Sequence, residues 1–346
     1  MTRAAWPWLK FLLGVGILAA LVWRLGSGAF LAGLRVVNGP AILAALAIGV
    51  LTTVCSAWRW QAVARGLGLE LPLRRAIGDY YRSLFLNCVL PMGVLGDVQR
   101  AVHHGQSSGD VGRGVRAVVL ERTGGQLVLA VVTVLVLLVQ PSVAVIAVHD
   151  LTGVAIGAIV LAAVAALVIG VFAAFRWGRD IVRWRRAVAT TLTDIRQGLL
   201  SRQTWPTVAL LSTVVLAGHV GLFLVAARTA GSAAPLGQLV PLVILSLLAS
   251  GVPVNIGGWG PRESMSALTF GAVGLGATEG LTIAVVYGVL TLVTALPGAA
   301  VLVVRHVSSR KLNGVHGQGA RPRAVGPQVE FEERVVTEHE PAYRGS

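Results

Sequence analysis

Apolar runs near the length of a bilayer span recur along the chain, at 9–23, 40–58, 116–139, 151–175, 205–228 and 280–304. A spanning helix needs about 20 apolar residues, and these six runs predict six full spans. The stretch 78–96 is different, because it contains Asp79, Arg82 and Asn87. Both of its flanks carry Arg: Arg59, Arg65, Arg74 and Arg75 in 59–75, and Arg100, Arg113 and Arg116 in 97–116. A segment that begins and ends on the same side predicts a re-entrant hairpin. A second hairpin is predicted over 236–276, where Pro253–Gly260 interrupts the apolar pattern and the return limb 263–276 is short for a span.

The loops fix the orientation, because Lys and Arg collect on the cytoplasmic side. Gln140–Asp150 has neither residue and is placed outside, whereas 176–203 holds seven Arg and is placed inside. Arg305, Arg310 and Lys311 put the end of the last span in the cytoplasm. Arg3 and Lys10 do the same for the amino terminus, with residues 1–24 read as an uncleaved first helix and not as a signal peptide. The two hairpins then enter from opposite faces.

Their turns share a punctuation. Pro91, Gly96 and Arg100 lie in LPMGVLGDVQR, which also holds Gly93; Pro253, Gly258 and Arg262 lie in VPVNIGGWGPRE, which also holds Gly257 and Gly260. The three matched residues share one offset, 253 − 91 = 258 − 96 = 262 − 100 = 162. Pro and clustered Gly break helices, and broken backbone in a bilayer is tolerated only when buried in protein or lining a wet cavity. Paired breaks in two halves point to a transporter-type site. The expected fold is therefore an all-α polytopic membrane protein, an inverted repeat of helix, helix, re-entrant hairpin and helix. Repeat 1 covers about 9–139 and repeat 2 about 151–304, followed by a polar, disordered tail over 305–346.

Composition agrees. The 346 residues are 55% hydrophobic and only 13% charged, about half the charge of a soluble domain, and the mean hydropathy is +0.75. The net charge of +14 follows from the loop arginines and does not imply nucleic acid as a partner. Cys55 and Cys88 sit in apolar context as packing residues. No metal-ligand spacing, P-loop, GxGxxG after a strand or GxSxG elbow occurs, so neither a metal, a cofactor nor an enzymatic reaction is expected.

Half-helices starting near Gly96–Asp97 and Gly260–Arg262 would aim N–H groups and positive dipole ends into a cavity. Arg100 and Arg262 are the candidate receptors for a lipid phosphate, which Arg grips bidentately. A structural pair with Glu263 is the competing role for Arg262. Asp97 either counters Arg100 or binds a cation. Glu121–Arg122, early in an apolar helix, reads as a clamp on Arg100 or Arg262. His219 is read as an interhelical hydrogen-bonding residue, and His103–His104 as solvated at the cytoplasmic edge.

At these motifs the chain resembles a known family. LPMGVLGDVQRAV, LERTGGQLVL, VPVNIGGWGPRES and LPGAAVLVV are similar to the flippase-like transmembrane domain of bacterial lysylphosphatidylglycerol synthetases and its stand-alone relatives, over about residues 10–305. The resemblance implies moving or binding an anionic or modified lipid in the bacterial cytoplasmic membrane. It places the functional positions at Pro91, Gly96, Asp97, Arg100, Glu121, Arg122, Gly257, Gly258, Gly260, Arg262 and Glu263. Two departures stand out: Leu95 replaces a frequent second Gly, and the aminoacyltransferase domain is missing, so no lysine transfer from tRNA is implied. The alternative role is a non-transporting accessory subunit for a lipid-linked glycosyltransferase or a lipid synthase. A lipid-modifying enzyme is the third reading.

Overall fold

In a computed structural model, the described residues are 35–90, 93–140, 193–194, 196–199, 201–251 and 259–319, with helical backbone alone from 305 onward. Every element among them is helical. α1 (Gly39–Gly66) opens at Asn38, whose side-chain oxygen accepts the Ala41 N–H at 2.9 Å, and has Pro40 in its first turn, where a missing N–H is harmless. Two short helices follow, α2 (Leu73–Val89) and α3 (Leu95–Ser107). The long α4 (Val111–Val139) is capped by Asp110, which accepts the Arg113 N–H at 2.8 Å. The same long, short, short, long order then returns as α5 (Trp205–Thr229), α6 (Leu236–Ser250), α7 (Pro261–Ala272) and α8 (Ala277–Gly319). The starts of these four lie 166, 163, 166 and 166 residues after the starts of the first four (205 − 39, 236 − 73, 261 − 95, 277 − 111).

α1, α4, α5 and the Ala277–Val304 part of α8 run for 28, 29, 25 and 28 residues at a mean hydropathy of 2.0 to 2.3. At 1.5 Å per residue each exceeds the roughly 30 Å hydrocarbon thickness, so the protein is an all-helical membrane protein. The outer side of α4 shows its solvent: Val131, Val134, Leu135, Leu138 and Val139 are exposed, as lipid-facing residues are. The spans expected at 9–23 and 151–175 lie outside the described residues, as do Pro91, Pro253, Gly257 and Gly258.

Two expectations change. Residues 97–116, expected as a loop, form α3 and the start of α4, so the first short-helix pair covers 73–107 and not 78–96. Counting arginines misplaced it, because Arg100 is neutralised inside the protein. Arg59, assigned to a loop, is inside α1 and buried. Helical backbone in α8 continues to Gly319.

Small residues let the short helices pack closely. A Cβ on Gly96 would stand 2.2 Å from the Ser83 carbonyl oxygen of α2, and one on Gly114 would stand 2.7 Å from the Gly105 Cα of α3. The second four helices repeat the device, since a Cβ on Gly280 would be 2.3 Å from the Ser266 oxygen of α7. Two apolar cores result. One joins the end of α1 to α2, α3 and α4 and includes Trp60, Tyr80, Ala101 and Ala117; the other joins the end of α5 to α6, α7 and α8 and includes Phe223, Leu239, Phe270 and Ile283. Each long helix begins in the other's core: Ala41 and Ala45 of α1 belong with the α5–α8 residues, and Val208 of α5 belongs with the α1–α4 residues. α1 and α5 therefore run antiparallel.

Candidate functional site

α1, α3 and α4 bring five charges into one connected cluster. Glu121 of α4 is fully buried and accepts from Arg59 Nη2 at 2.5 Å and Nε at 3.0 Å on Oε1, and from Arg100 Nη2 at 3.1 Å on Oε2. Arg100 Nη2 also donates to Asp97 Oδ1 at 2.9 Å, and Arg122 Nη2 donates to Asp97 Oδ2 at 2.7 Å. α2 supplies the neutral partners. Ser83 and Asn87 donate to Asp97 at 2.8 and 3.2 Å, Tyr80 reaches Glu121 Oε1 at 3.4 Å, and Asn87 Oδ1 accepts the Gly96 N–H at 2.8 Å, covering an open donor at the start of α3. Arg59 Nη1 ties α5 in through Ser212 Oγ at 2.9 Å. Arg100 lies between the Trp60 and Tyr80 rings, at 4.5 and 4.3 Å, and its Nε and Nη1 have no hydrogen-bond acceptor. The ring faces provide the remaining attraction. A buried charge left alone is costly, and this arrangement alternates sign from Arg59 through Glu121, Arg100 and Asp97 to Arg122.

A second cluster sits at the start of α7. Glu263 Oε2 reaches back to the Gly260 N–H at 2.6 Å, as a helix-start acid does, and Gly260 holds φ +121°, which only glycine adopts readily. Arg262 Nε donates to Glu263 Oε1 at 2.9 Å, and its Nη2 also contacts that oxygen. The guanidinium lies over Trp259 at 5.3 Å and Tyr287 at 4.9 Å, in space left by Gly288, whose added Cβ would fall 2.7 Å from Arg262 Nη2. Tyr287 Oη is 3.0 Å from His219 Nδ1.

The motif offset of 162 pairs Arg100 with Arg262, but the helix starts do not. Arg100 is the sixth residue of α3 and Arg262 the second of α7, whereas Asp97 and Glu263 are each the third. The structure brings Asp97, Arg100, Glu121 and Arg122 together and leaves Arg262 and Glu263 as a separate pair. Gly93, at φ +60°, and Gly96 shape the turn into α3, as Gly260 does for α7. Sequence reading missed Arg59, Trp60, Tyr80, Ser212 and Tyr287. The available signal was helical phase, since Thr52, Ser56 and Arg59 mark one polar face of an apolar helix. His104, expected to be solvated, is 1% exposed and packs edge-on against Trp60 at 5.4 Å.

Three cavities meet at one residue. The largest, about 530 Å³, is lined by Val94, Val98, Val115 and Val119 on its apolar side and by Asp97, Arg122 and Gln126 on its polar side. A second, about 190 Å³, runs past Arg59, Arg122, Ser212, His219 and Tyr287, and a third, about 100 Å³, past Thr52, Ser56, Arg122 and His219. Arg122 lines all three, and its side chain is 41% exposed. Arg100, with a side chain 1% exposed, borders only a space of about 10 Å³ among these cavities. The geometry therefore offers a largely apolar chamber with a cation on its wall, and the same cation lines two smaller, more polar cavities.

The profile described as the lysylphosphatidylglycerol synthase TM region matches residues 8–298, which include every residue of both charge clusters. That region is the transmembrane part and not the aminoacyltransferase part. No curated protein and no solved structure matches the chain. With the match spanning most of its length, the chain belongs to the lysylphosphatidylglycerol synthase TM region family.

Proposed function

We propose that this protein binds an anionic lipid of the bacterial cytoplasmic membrane at Arg122 and passes its headgroup between leaflets along the cavities that Arg122 joins. The observation that carries the reading is this half-exposed arginine inside an apolar span, held by Asp97 and open to all three cavities. An ionised group at membrane depth is costly and is retained for function. Arg100 and Arg262 support the path indirectly: Arg100 fixes Asp97 and Glu121, and Arg262 fixes the Tyr287–His219 side of the second cavity.

The repeated helix order supports an inverted repeat with two re-entrant hairpins of opposite orientation, and the loop charges support both termini in the cytoplasm. At an offset of 166, Thr52 and Gly218 are equivalent residues, and a Cβ on Gly218 would lie 2.4 Å from Thr52 Cγ2. A residue touching its own repeat mate is what a two-fold axis between α1 and α5 requires.

The test is reconstitution in vesicles with a fluorescent phosphatidylglycerol, comparing wild type, Arg122→Gln and the exposed control Arg113→Gln at matched protein content. Transbilayer exchange should fall at least about tenfold in Arg122→Gln, about 1.4 kcal/mol, and stay unchanged in Arg113→Gln. Equal rates in all three would remove Arg122 from the path. A wild type that binds lipid through Arg122 without moving it would favour an accessory subunit presenting lipid to a glycosyltransferase or lipid synthase.

A further inference from the structure

We infer that the lipid this site accepts is a monoanionic phosphodiester whose headgroup carries no amine, so that aminoacylated lipid, the class in the family's name, is disfavoured. The inference rests on the lipid-binding reading above. It comes from where the carboxylates are spent. Asp97, Glu121 and Glu263 are the acids of the two clusters, and all six of their oxygens are occupied. Asp97 Oδ1 takes Ser83 and Arg100, and Oδ2 takes Asn87 and Arg122. Glu121 Oε1 takes Arg59 and Tyr80, and Oε2 takes Arg100. Glu263 Oε1 takes Arg262, and Oε2 takes the Gly260 N–H.

Charge points the same way. In the first cluster Arg59, Arg100 and Arg122 face Asp97 and Glu121, which leaves one positive charge; Arg262 and Glu263 cancel. The surplus is available at Arg122, the exposed member, whose Nε is also unpartnered. One phosphodiester neutralises it. A lysyl headgroup brings two ammonium groups, which need acceptors with open lone pairs. Among these acids only Glu121 Oε2 and Glu263 Oε2 accept from a single donor, and both residues are buried and line none of the three cavities. Beside Arg122 the cavities are lined by Asp97 and Arg59, each already ion-paired, and by the neutral amide and hydroxyl groups of Gln126, Ser212 and Ser250, with His219 and Tyr287 bound to each other. Such a lining suits hydroxyls.

The full chain in detergent, loaded with a fluorescent short-chain phosphatidylglycerol, should be titrated with unlabelled dioctanoyl phosphatidylglycerol, phosphatidylethanolamine and lysylphosphatidylglycerol. These carry none, one and two amines on the same phosphodiester frame. Phosphatidylglycerol should displace the probe at a concentration at least tenfold below that of lysylphosphatidylglycerol, with phosphatidylethanolamine between them. Lysylphosphatidylglycerol displacing the probe as well as phosphatidylglycerol does would overturn the amine exclusion and leave the lipid-binding reading in place. If the probe instead binds Arg122→Gln as tightly as wild type, the lipid-binding reading itself falls and takes this inference with it. The wild-type competition needs no variant to fold.

Discussion

Glu121 and Arg122 are adjacent in sequence and differ sharply in surroundings. Glu121 is sealed and anchors Arg59 and Arg100, whereas Arg122 is 41% exposed at the meeting point of the cavities. Glu121→Gln would leave two arginines in the interior without their shared anion, a loss of about 3–5 kcal/mol. Arg122→Gln, screened by its exposure, should cost less than about 1 kcal/mol. Thermal unfolding of both variants in detergent separates the roles, and similar losses would contradict the assignment. A clamp at Glu121 onto Arg100 was legible from charged letters in an apolar run. Arg59 was not, since a charge tally cannot tell a loop arginine from one on the inner face of a helix.

At the scale of elements, the pair α2 and α3 depends on one missing side chain. Gly96→Ala would drive a methyl to 2.2 Å from the backbone oxygen of Ser83 and displace the neighbouring Asp97. Overpacking of this kind costs about 1–3 kcal/mol, and exchange across the vesicle membrane should fall with it. Gly221→Ala is the matched control, because nothing lies within 4 Å of its Cβ; it should be neutral or gain up to about 1 kcal/mol of helix propensity. Melting temperatures of the two variants check both outcomes. Pro and Gly punctuation placed the half-helix starts to within about a residue. The motif offset of 162 differs from the 166-residue spacing of three of the four helix starts, because Pro, Gly and Arg were matched by type, while Asp97 and Glu263 each stand third in their helices.

For the molecule as a whole, the antiparallel packing of α1 on α5 sets what can move. The Cβ of residue 218 would lie 3.9 Å from that of Thr52, within the range that a disulfide bridges. Thr52→Cys with Gly218→Cys, in a Cys55→Ala, Cys88→Ala background, should crosslink readily, as mass spectrometry of a digest would show. If rocking of one half against the other carries the lipid, oxidation should stop exchange and a reductant restore it; full exchange in the crosslinked protein would exclude such rocking. The crossed cores also bear on how the protein is made. The first core lacks Leu199 and Val208, and Arg59 lacks Ser212, until the chain has grown 91 residues past Glu121 (212 − 121). At about 5–20 residues per second, the ribosome needs roughly 5–20 s to supply them. During that interval the newborn first half holds all five charges of its cluster but lacks the Ser212 hydrogen bond and two residues of its core, and slower translation toward α5 lengthens that exposure.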